Sequence, residues 1–292
     1  MIFPQLLING LIAGAIYALV AAGFSLIFRT AKFIHFAHGT VVAVGGYILY
    51  SLFALLNLNF ALAVIMTVIL SAVFGWLINI IIFKPLRKRG ASNIILLLST
   101  VGILILVESL ILLIFGASVK TIGFLPVIKG LDILGAVVTP LQLVIIGVAA
   151  VLLVGLFIFM KKTKIGKAMR AVSDNKDVAE IVGISSEKVY SYAFLIGSAI
   201  AGVAGILIGM EQNLEPTMGT NLMIKGFAGA VIGGVSSVSG AVVGSFLLGL
   251  IENFGIWYLP SGYKDAIAFI ILFIFLILKP EGLFGQSTRY EN

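Results

Sequence analysis

Apolar runs long enough to cross a bilayer dominate this chain, separated by short polar breaks. They fall near residues 4–28, 33–56, 60–83, 93–115, 141–160, 190–210 and 263–279, with a longer glycine-broken stretch at 222–254. A helix needs roughly 20 apolar residues to cross the hydrocarbon. The pattern therefore predicts an all-α fold: a polytopic transmembrane helical bundle of about eight spans, forming a single transmembrane domain over residues 1–292. The stretch 222–254 would reach roughly 50 Å as one straight helix, well beyond a hydrocarbon core of about 30 Å. GGVSSVSG at Gly233 to Gly240 places glycine and serine in its middle. The expected form is a pair of half-helices entering and leaving from outside, a broken or re-entrant element. Unwound backbone at that depth must be buried in protein or line a wet cavity.

Composition excludes a soluble particle, because 61% hydrophobic residues, 11% charged residues and a mean hydropathy of +1.20 leave too little polar surface. With no cysteine there is no disulfide framework and no thiolate chemistry. The net charge of +7 does not point to nucleic acid, since the basic residues sit in short loops between spans rather than on a folded face. Three loops hold most of them: Arg29 and Lys32; Lys84, Arg87, Lys88 and Arg89; and Lys161, Lys162, Lys164, Lys167, Arg170, Lys176 and Lys188. The positive-inside rule makes these loops cytoplasmic. The N-terminus, 57–59, 116–140 and 211–221 then lie outside, with scattered charge at Lys120, Lys129, Asp132, Glu211 and Glu215, and the tail from Lys279 lies inside. The first run lacks the basic leader of a cleaved signal and reads as a retained helix.

Small residues recur every fourth position at Gly10, Gly14, Ala18 and Ala22, and again at Ala193, Gly197, Ala201, Gly205 and Gly209. Such stripes let helix backbones approach closely in lipid, so they read as packing seams, with substrate-facing surfaces as the alternative. After each comes a related run, FAHGTVVAVGG from Phe36 and FAGAVIGG from Phe227, starting on opposite sides of the membrane. That is the pattern of an inverted repeat, whose interrupted helices mark a transport path, although runs this short and glycine-rich also match by chance.

Few polar residues are available for chemistry. There is no HExxH, no GxSxG and no GxxxxGK[ST], so metal or serine hydrolysis and ATP binding through a P-loop are not expected of this chain. It is read as a non-enzyme without a bound cofactor. His35 and His38 lack a nearby carboxylate and read as pathway or interface hydrogen-bonding groups rather than metal ligands. Glu108 is the sharpest intramembrane ionisable residue, a pathway group or a structural carboxyl. Gly233, Gly234, Ser236 and Ser237 join His35, His38 and Glu108 as transport-path residues, while Lys225, Glu252 and Asn253 read as interfacial anchors.

The polar island at 161–192 remains. Ala168, Met169, Val172, Val178, Ile181 and Val182 are placed to form one apolar face, split near Ser173 and Asn175 and stopped at Gly183. Such a helix suits the groove of a soluble partner; a solvated loop held near anionic lipid is the alternative.

This island resembles the cytoplasmic coupling segment of the branched-chain amino acid ABC permeases, the Leu/Ile/Val (LivH/LivM) family. The resemblance rests on GKAMRAV at Gly166 to Val172, SDNKD at Ser173 to Asp177 and AEIVGI at Ala179 to Ile184. NGLIAGAIYALVAAGFSLIF from Asn9, FAHGTVVAVGGY from Phe36, FAGAVIGGVSSVSGAVVGSFLLGLIENF from Phe227 and KPEGLFG from Lys279 extend it in order over essentially the whole chain. The length is more like the LivH-type subunit.

The resemblance implies an importer in a prokaryotic inner membrane. An extracytoplasmic binding protein would capture the amino acid, two homologous permeases would form the path within membrane lipid, and two cytoplasmic ATPases with ATP and Mg would drive it. Gly166, Lys167, Ala168, Met169, Arg170, Ala171, Asp174, Ala179 and Gly183 would belong to the ATPase-coupling segment, with Arg170 and Asp174 docking. Broken segments 33–46 and 222–254 would flank the path. Urea, amide or ribose-type sugar cargo in the same architecture, and a stand-alone ion-coupled carrier using Glu108, are the alternatives.

Overall fold

The computed structural model describes residues 2–124, 130–133 and 135–285; Lys129 and the tail from residue 286 lie outside the described residues. Twelve α-helices are seen among them. They are α1 (Ile2–Ala31), α2 (His38–Leu49), α3 (Phe60–Ile78), α4 (Lys84–Lys88), α5 (Asn93–Phe115), α6 (Pro140–Lys162), α7 (Lys164–Asp174), α8 (Lys176–Ile181), α9 (Ser186–Gln212), α10 (Met218–Gly233), α11 (Val238–Gly255) and α12 (Lys264–Leu278). Wider π-helical turns prolong α2 over Tyr50–Leu55 and join α3 to α4 over Asn79–Phe83. An antiparallel hairpin, β1 (Leu131–Ile133) with β2 (Ala136–Val138), precedes α6.

Among the described residues, seven helical stretches are long and apolar enough to span a bilayer: 2–31, 38–55, 60–88, 93–115, 140–162, 186–212 and 238–255. The shorter apolar α12 brings the number to the expected eight. The predicted interruption of 222–254 is found at Gly234 to Ser237, between α10 and α11. Gly234 adopts φ +106°, a left-handed conformation that a side chain would strain, and Ser237 caps α11 by accepting from the Gly240 N–H.

The chain divides into two compact units, residues 1–25, 128–153 and 224–292 in one, and 26–127 and 154–223 in the other. Each is assembled from separated stretches, so neither is a contiguous piece of sequence.

In the first unit, glycines set the helix spacing. A Cβ on Gly14 would come within 2.8 Å of the Phe246 Cα, and one on Gly10 within 3.0 Å of the Leu250 Cα, so α1 lies backbone to backbone on α11. Ala18 on the same stripe is fully buried. Ala228, Ile232, Leu248 and Ala268 form a core on which Tyr17, Ile271 and Phe275 pack. The α10–α11 turn is met by the segment after α12, where the Leu283 and Phe284 N–H groups donate to the Ile232 and Gly233 carbonyls at 2.8 and 2.9 Å. The turn therefore lies at the C-terminal end of α12, and the α10–α11 hairpin runs the length of that helix.

In the second unit, α9 is the central element. It packs along α2 and α3, and its most apolar window is 72% buried against 22% for α5. Gly205 faces the Val42 carbonyl, Gly202 lies on Ser71 and Gly209 on Leu214, while Gly197 and Ala201 are buried between them. A stripe of small residues is what allows α9 to serve two neighbours at once.

Candidate functional site: a broken-helix crossing and a polar island

The phenylalanine-led runs are not structurally equivalent. Phe36 lies in the irregular junction before α2, whereas Phe227 is inside α10, so the register of repeat expected from those motifs is corrected. The likeness lies one step earlier. Long helix α1 ends at Lys32 with φ +58°, and long helix α9 ends at Asn213 with φ +69°, two of the few non-glycine residues in this conformation. Each junction leads into a helix whose second residue is glycine, Gly39 in α2 and Gly219 in α10. These glycines touch reciprocally. A Cβ on Gly39 would strike the Gly219 carbonyl and Met223, and one on Gly219 would strike the Gly39 carbonyl and Ala43, each partner set being a glycine and the residue four later. Such reciprocity is what a local two-fold relation between inverted elements produces.

Glu108 stands beside this crossing. The Thr220 hydroxyl, in the first turn of α10, donates to its Oε2 at 2.7 Å, where the helix N-terminus also favours negative charge. Glu108 lines a recess of about 350 Å³ with Ser109, Leu112, Ala117, Val119, Glu215, Pro216 and Thr217. A smaller hollow, lined in part by Thr40, Ala43, Gly219 and Thr220, shares Glu108 and Pro216 with it. No ion pair to Glu108 occurs among the described residues.

The other expected path residues are placed differently. His35 is fully buried in a box of Phe33, Phe83 and Phe194, with ring centroids 6.1, 5.2 and 4.9 Å away, and neither of its ring nitrogens has a hydrogen-bond partner among the described residues. It is packed as an aromatic. His38, also buried, opens α2 with its ring centroid 6.2 Å from that of His35. Among the described residues no group of three His, Cys, Asp or Glu could hold a metal. Gly233, Gly234, Ser236 and Ser237 form the α10–α11 turn in the first unit; Gly233 lies on the Gly240 backbone and Gly234 on Gly285.

The polar island folds as two short helices and the start of a third. Thr163 caps α7 by accepting from the Gly166 N–H at 3.0 Å, and Asn175 caps α8 by accepting from the Val178 N–H at 3.0 Å. Gly166 is pressed on the Met160 backbone at the end of α6, where a Cβ would lie 2.6 Å from the Met160 Cα. Gly183, with φ +86°, ends α8. The expected single apolar face is corrected: Met169, Val172 and Ala179 point inward and are buried, while Val178, Ile181 and Val182 are exposed. Asn175, with its extended backbone (φ −152°), resets the helix direction between Val172 and Val178, and within α8 Ala179 turns inward while Val178, Ile181 and Val182 face out.

Arg170 is half-buried. Its guanidinium donates to the Met160 carbonyl, so it fastens α7 to the C-terminal end of α6, a favoured place for a cation. Lys167 and Asp174 are exposed, and Ala168 and Ala171 are half-buried. The Arg29 Nε donates to the Ser173 Oγ at 3.2 Å, which ties α7 to the end of α1. Nearby, burial and then Arg29 lower the pKa of the Lys32 ammonium, against an opposing pull from Asp174.

Lys225 and Glu252, expected as interfacial anchors, are instead paired with each other and with Asp265 and Tyr17, a cluster the sequence did not disclose. Lys225 Nζ lies 2.9 Å from Glu252 Oε1 and 2.8 Å from Asp265 Oδ1, and the Tyr17 hydroxyl donates to Glu252 Oε2 at 2.9 Å. Charges within apolar helices were the available signal.

The matches to known proteins agree with this architecture. The family described as the branched-chain amino acid transport system / permease component matches residues 6–276. The chain belongs to that family. It is 33% identical to the high-affinity branched-chain amino acid transport system permease protein BraD of Pseudomonas aeruginosa, over 97% of this chain and 96% of the relative. It is 30% identical to the permease protein LivH of Escherichia coli over the same shares, and 30% identical to a probable LivH of Methanocaldococcus jannaschii over 98% and 93%. Among solved structures, PsaBC from Streptococcus pneumoniae in complex with Fab shares the fold, with a TM-score of 0.50 and 16% identity over 94% of this chain and 91% of that one. The chain is thus a multi-pass permease of a prokaryotic inner membrane.

Proposed function

We propose that this chain is the LivH-type membrane subunit of an ABC importer for branched-chain amino acids. End-to-end identity of 30–33% with permeases named for that cargo carries the reading. A homologous permease would complete the path, two ATPases holding ATP and Mg would supply the driving force, and an extracytoplasmic binding protein would deliver the amino acid. The exposed Val178, Ile181 and Val182 would be the apolar ridge that enters an ATPase groove, with the buried Gly166, Met169 and Ala179 and the half-buried Arg170 holding that ridge in place. The reciprocal Gly39–Gly219 crossing would be where the broken helices flank the path.

The test is purification of the tagged chain from its host in mild detergent, followed by reconstitution with ATP inside or outside the vesicle. Copurification of an ATPase and a second permease, with ATP-dependent uptake of leucine, supports the reading. Recovery of the chain alone, active without ATP, overturns it. A second reading draws on the Glu108–Thr220 recess: a stand-alone ion-coupled carrier with Glu108 as its cation site. It predicts ATP-independent uptake abolished by Glu108→Gln. Urea, amide or sugar cargo would show instead as a copurifying binding protein that retains that solute.

A further inference from the structure

The exposed ridge on α8 is joined to the membrane helices by one chain of polar contacts, all within the second unit. The Ser186 hydroxyl, in the first turn of α9, donates to the Glu180 carboxylate of α8. The next residue, Glu187, receives a two-pronged contact from Arg87 of α4, with Nε–Oε1 and Nη2–Oε2 both 3.0 Å. The same Nη2 donates to Asn79 Oδ1 at 2.9 Å, and Asn79 Nδ2 donates to Ser191 Oγ at 3.3 Å. The Ser191 hydroxyl in turn donates to the Glu187 carbonyl at 2.9 Å, and the guanidinium lies 4.8 Å from the centre of the Tyr190 ring. Arg87 therefore holds Glu187 and Tyr190 of α9 directly, and through the fully buried Asn79 it reaches Ser191.

Asn79 is the first residue of the π-helical turn that joins α3 to α4. Such turns place an extra residue in the helix and recur at functional hinges. The fork matters too, because a planar guanidinium fixes direction as well as distance, which a lysine ammonium cannot. Arg87 Nη1 is buried and without a partner among the described residues, a donor able to engage a new acceptor if this joint shifts.

We propose that Arg87 is a positioning residue of the transport cycle, transmitting displacement of α8 through Glu187 to α9 and through Asn79 to the hinge of α3. This rests on the reading of 161–192 as the ATPase-coupling segment. Above the joint, α3 and α9 are closely packed, Gly75 on the Ser198 side chain and Gly202 on the Ser71 side chain, so a displacement received at their ends is carried along both. Arg87 touches neither cargo nor ATP in this role.

The test uses the full complex purified with its own ATPase, measuring ATPase copurification, ATP hydrolysis and radiolabelled leucine uptake in liposomes. R87K and the paired R87M/E187M are expected to retain the ATPase but lower leucine taken up per ATP by at least about fivefold, on the scale of ordinary coupling between sites. The paired variant removes both charges, so no buried charge is stranded. The reversal R87E/E187R is expected to recover part of the ratio. A wild-type ratio in R87K or in R87M/E187M overturns the proposal, as does failure of both to assemble, which would make the pair purely structural. V178D/I181D reports separately on the coupling reading: loss of ATPase copurification supports it, whereas retention refutes that reading irrespective of the Arg87 result.

Discussion

Lys225–Glu252 and Arg87–Glu187 are both ion pairs set among apolar helices with cations equally shielded, yet the carboxylate of one is closed to solvent and that of the other is left at an edge. The Glu252 side chain has no exposure, while that of Glu187 keeps 31%. Glu252 is held by two donors from separate helices, Tyr17 of α1 and Lys225 of α10, so it binds α1, α10 and α11 into one body. Arg87–Glu187 joins two helix ends beside a π-helical turn, with a spare donor on the guanidinium. A sealed pair resists rearrangement because separating it strands charge in a low-dielectric setting. A pair at an edge can exchange partners with water and neighbouring groups. The difference teaches that charge within apolar helices serves rigidity in one unit and articulation in the other.

The strongest challenge to that contrast is Lys225→Met, which leaves Glu252 buried without its cation. It should destabilise by about 3–5 kcal/mol. Thermal unfolding in detergent measures it, and the double variant K225M/E252M should recover most of the loss. Next comes R87M, expected to lower stability by about 1–3 kcal/mol, since Glu187 regains water. A larger loss for R87M than for K225M would reverse the assignment of sealed pair and joint. Tyr17→Phe removes one donor to Glu252 and should cost about 1 kcal/mol in the same melt. Least affected should be Asp265→Asn: its carboxylate is largely exposed, and the melting temperature should match that of the wild type.

The limits of what the sequence discloses follow the same division. Spans, the α10–α11 break, the stop at Gly183 and the division of the island near Asn175 are local events, set by runs of apolar residues and by glycine or capping side chains, and they could be read directly. Inward and outward faces of the island could not, because Met169 and Val178 are equally apolar and only their packing partners separate them. Arg170 looked like a docking charge, yet a carbonyl at the end of α6 claims it. The pairs that matter most join residues 27 and 100 positions apart, a distance over which no periodicity carries information. The pairing of the Phe36 and Phe227 runs could not be checked by sequence either, since what the two junctions have in common, at Lys32 and Asn213, is a backbone conformation rather than a residue type.

The central claim is that this permease works only as part of an ATP-driven assembly importing branched-chain amino acids. Uptake of leucine by liposomes bearing the purified complex, with and without ATP, addresses it most directly. The account predicts accumulation that requires both ATP and the copurified ATPase; equal uptake by this chain alone, without ATP, would contradict it.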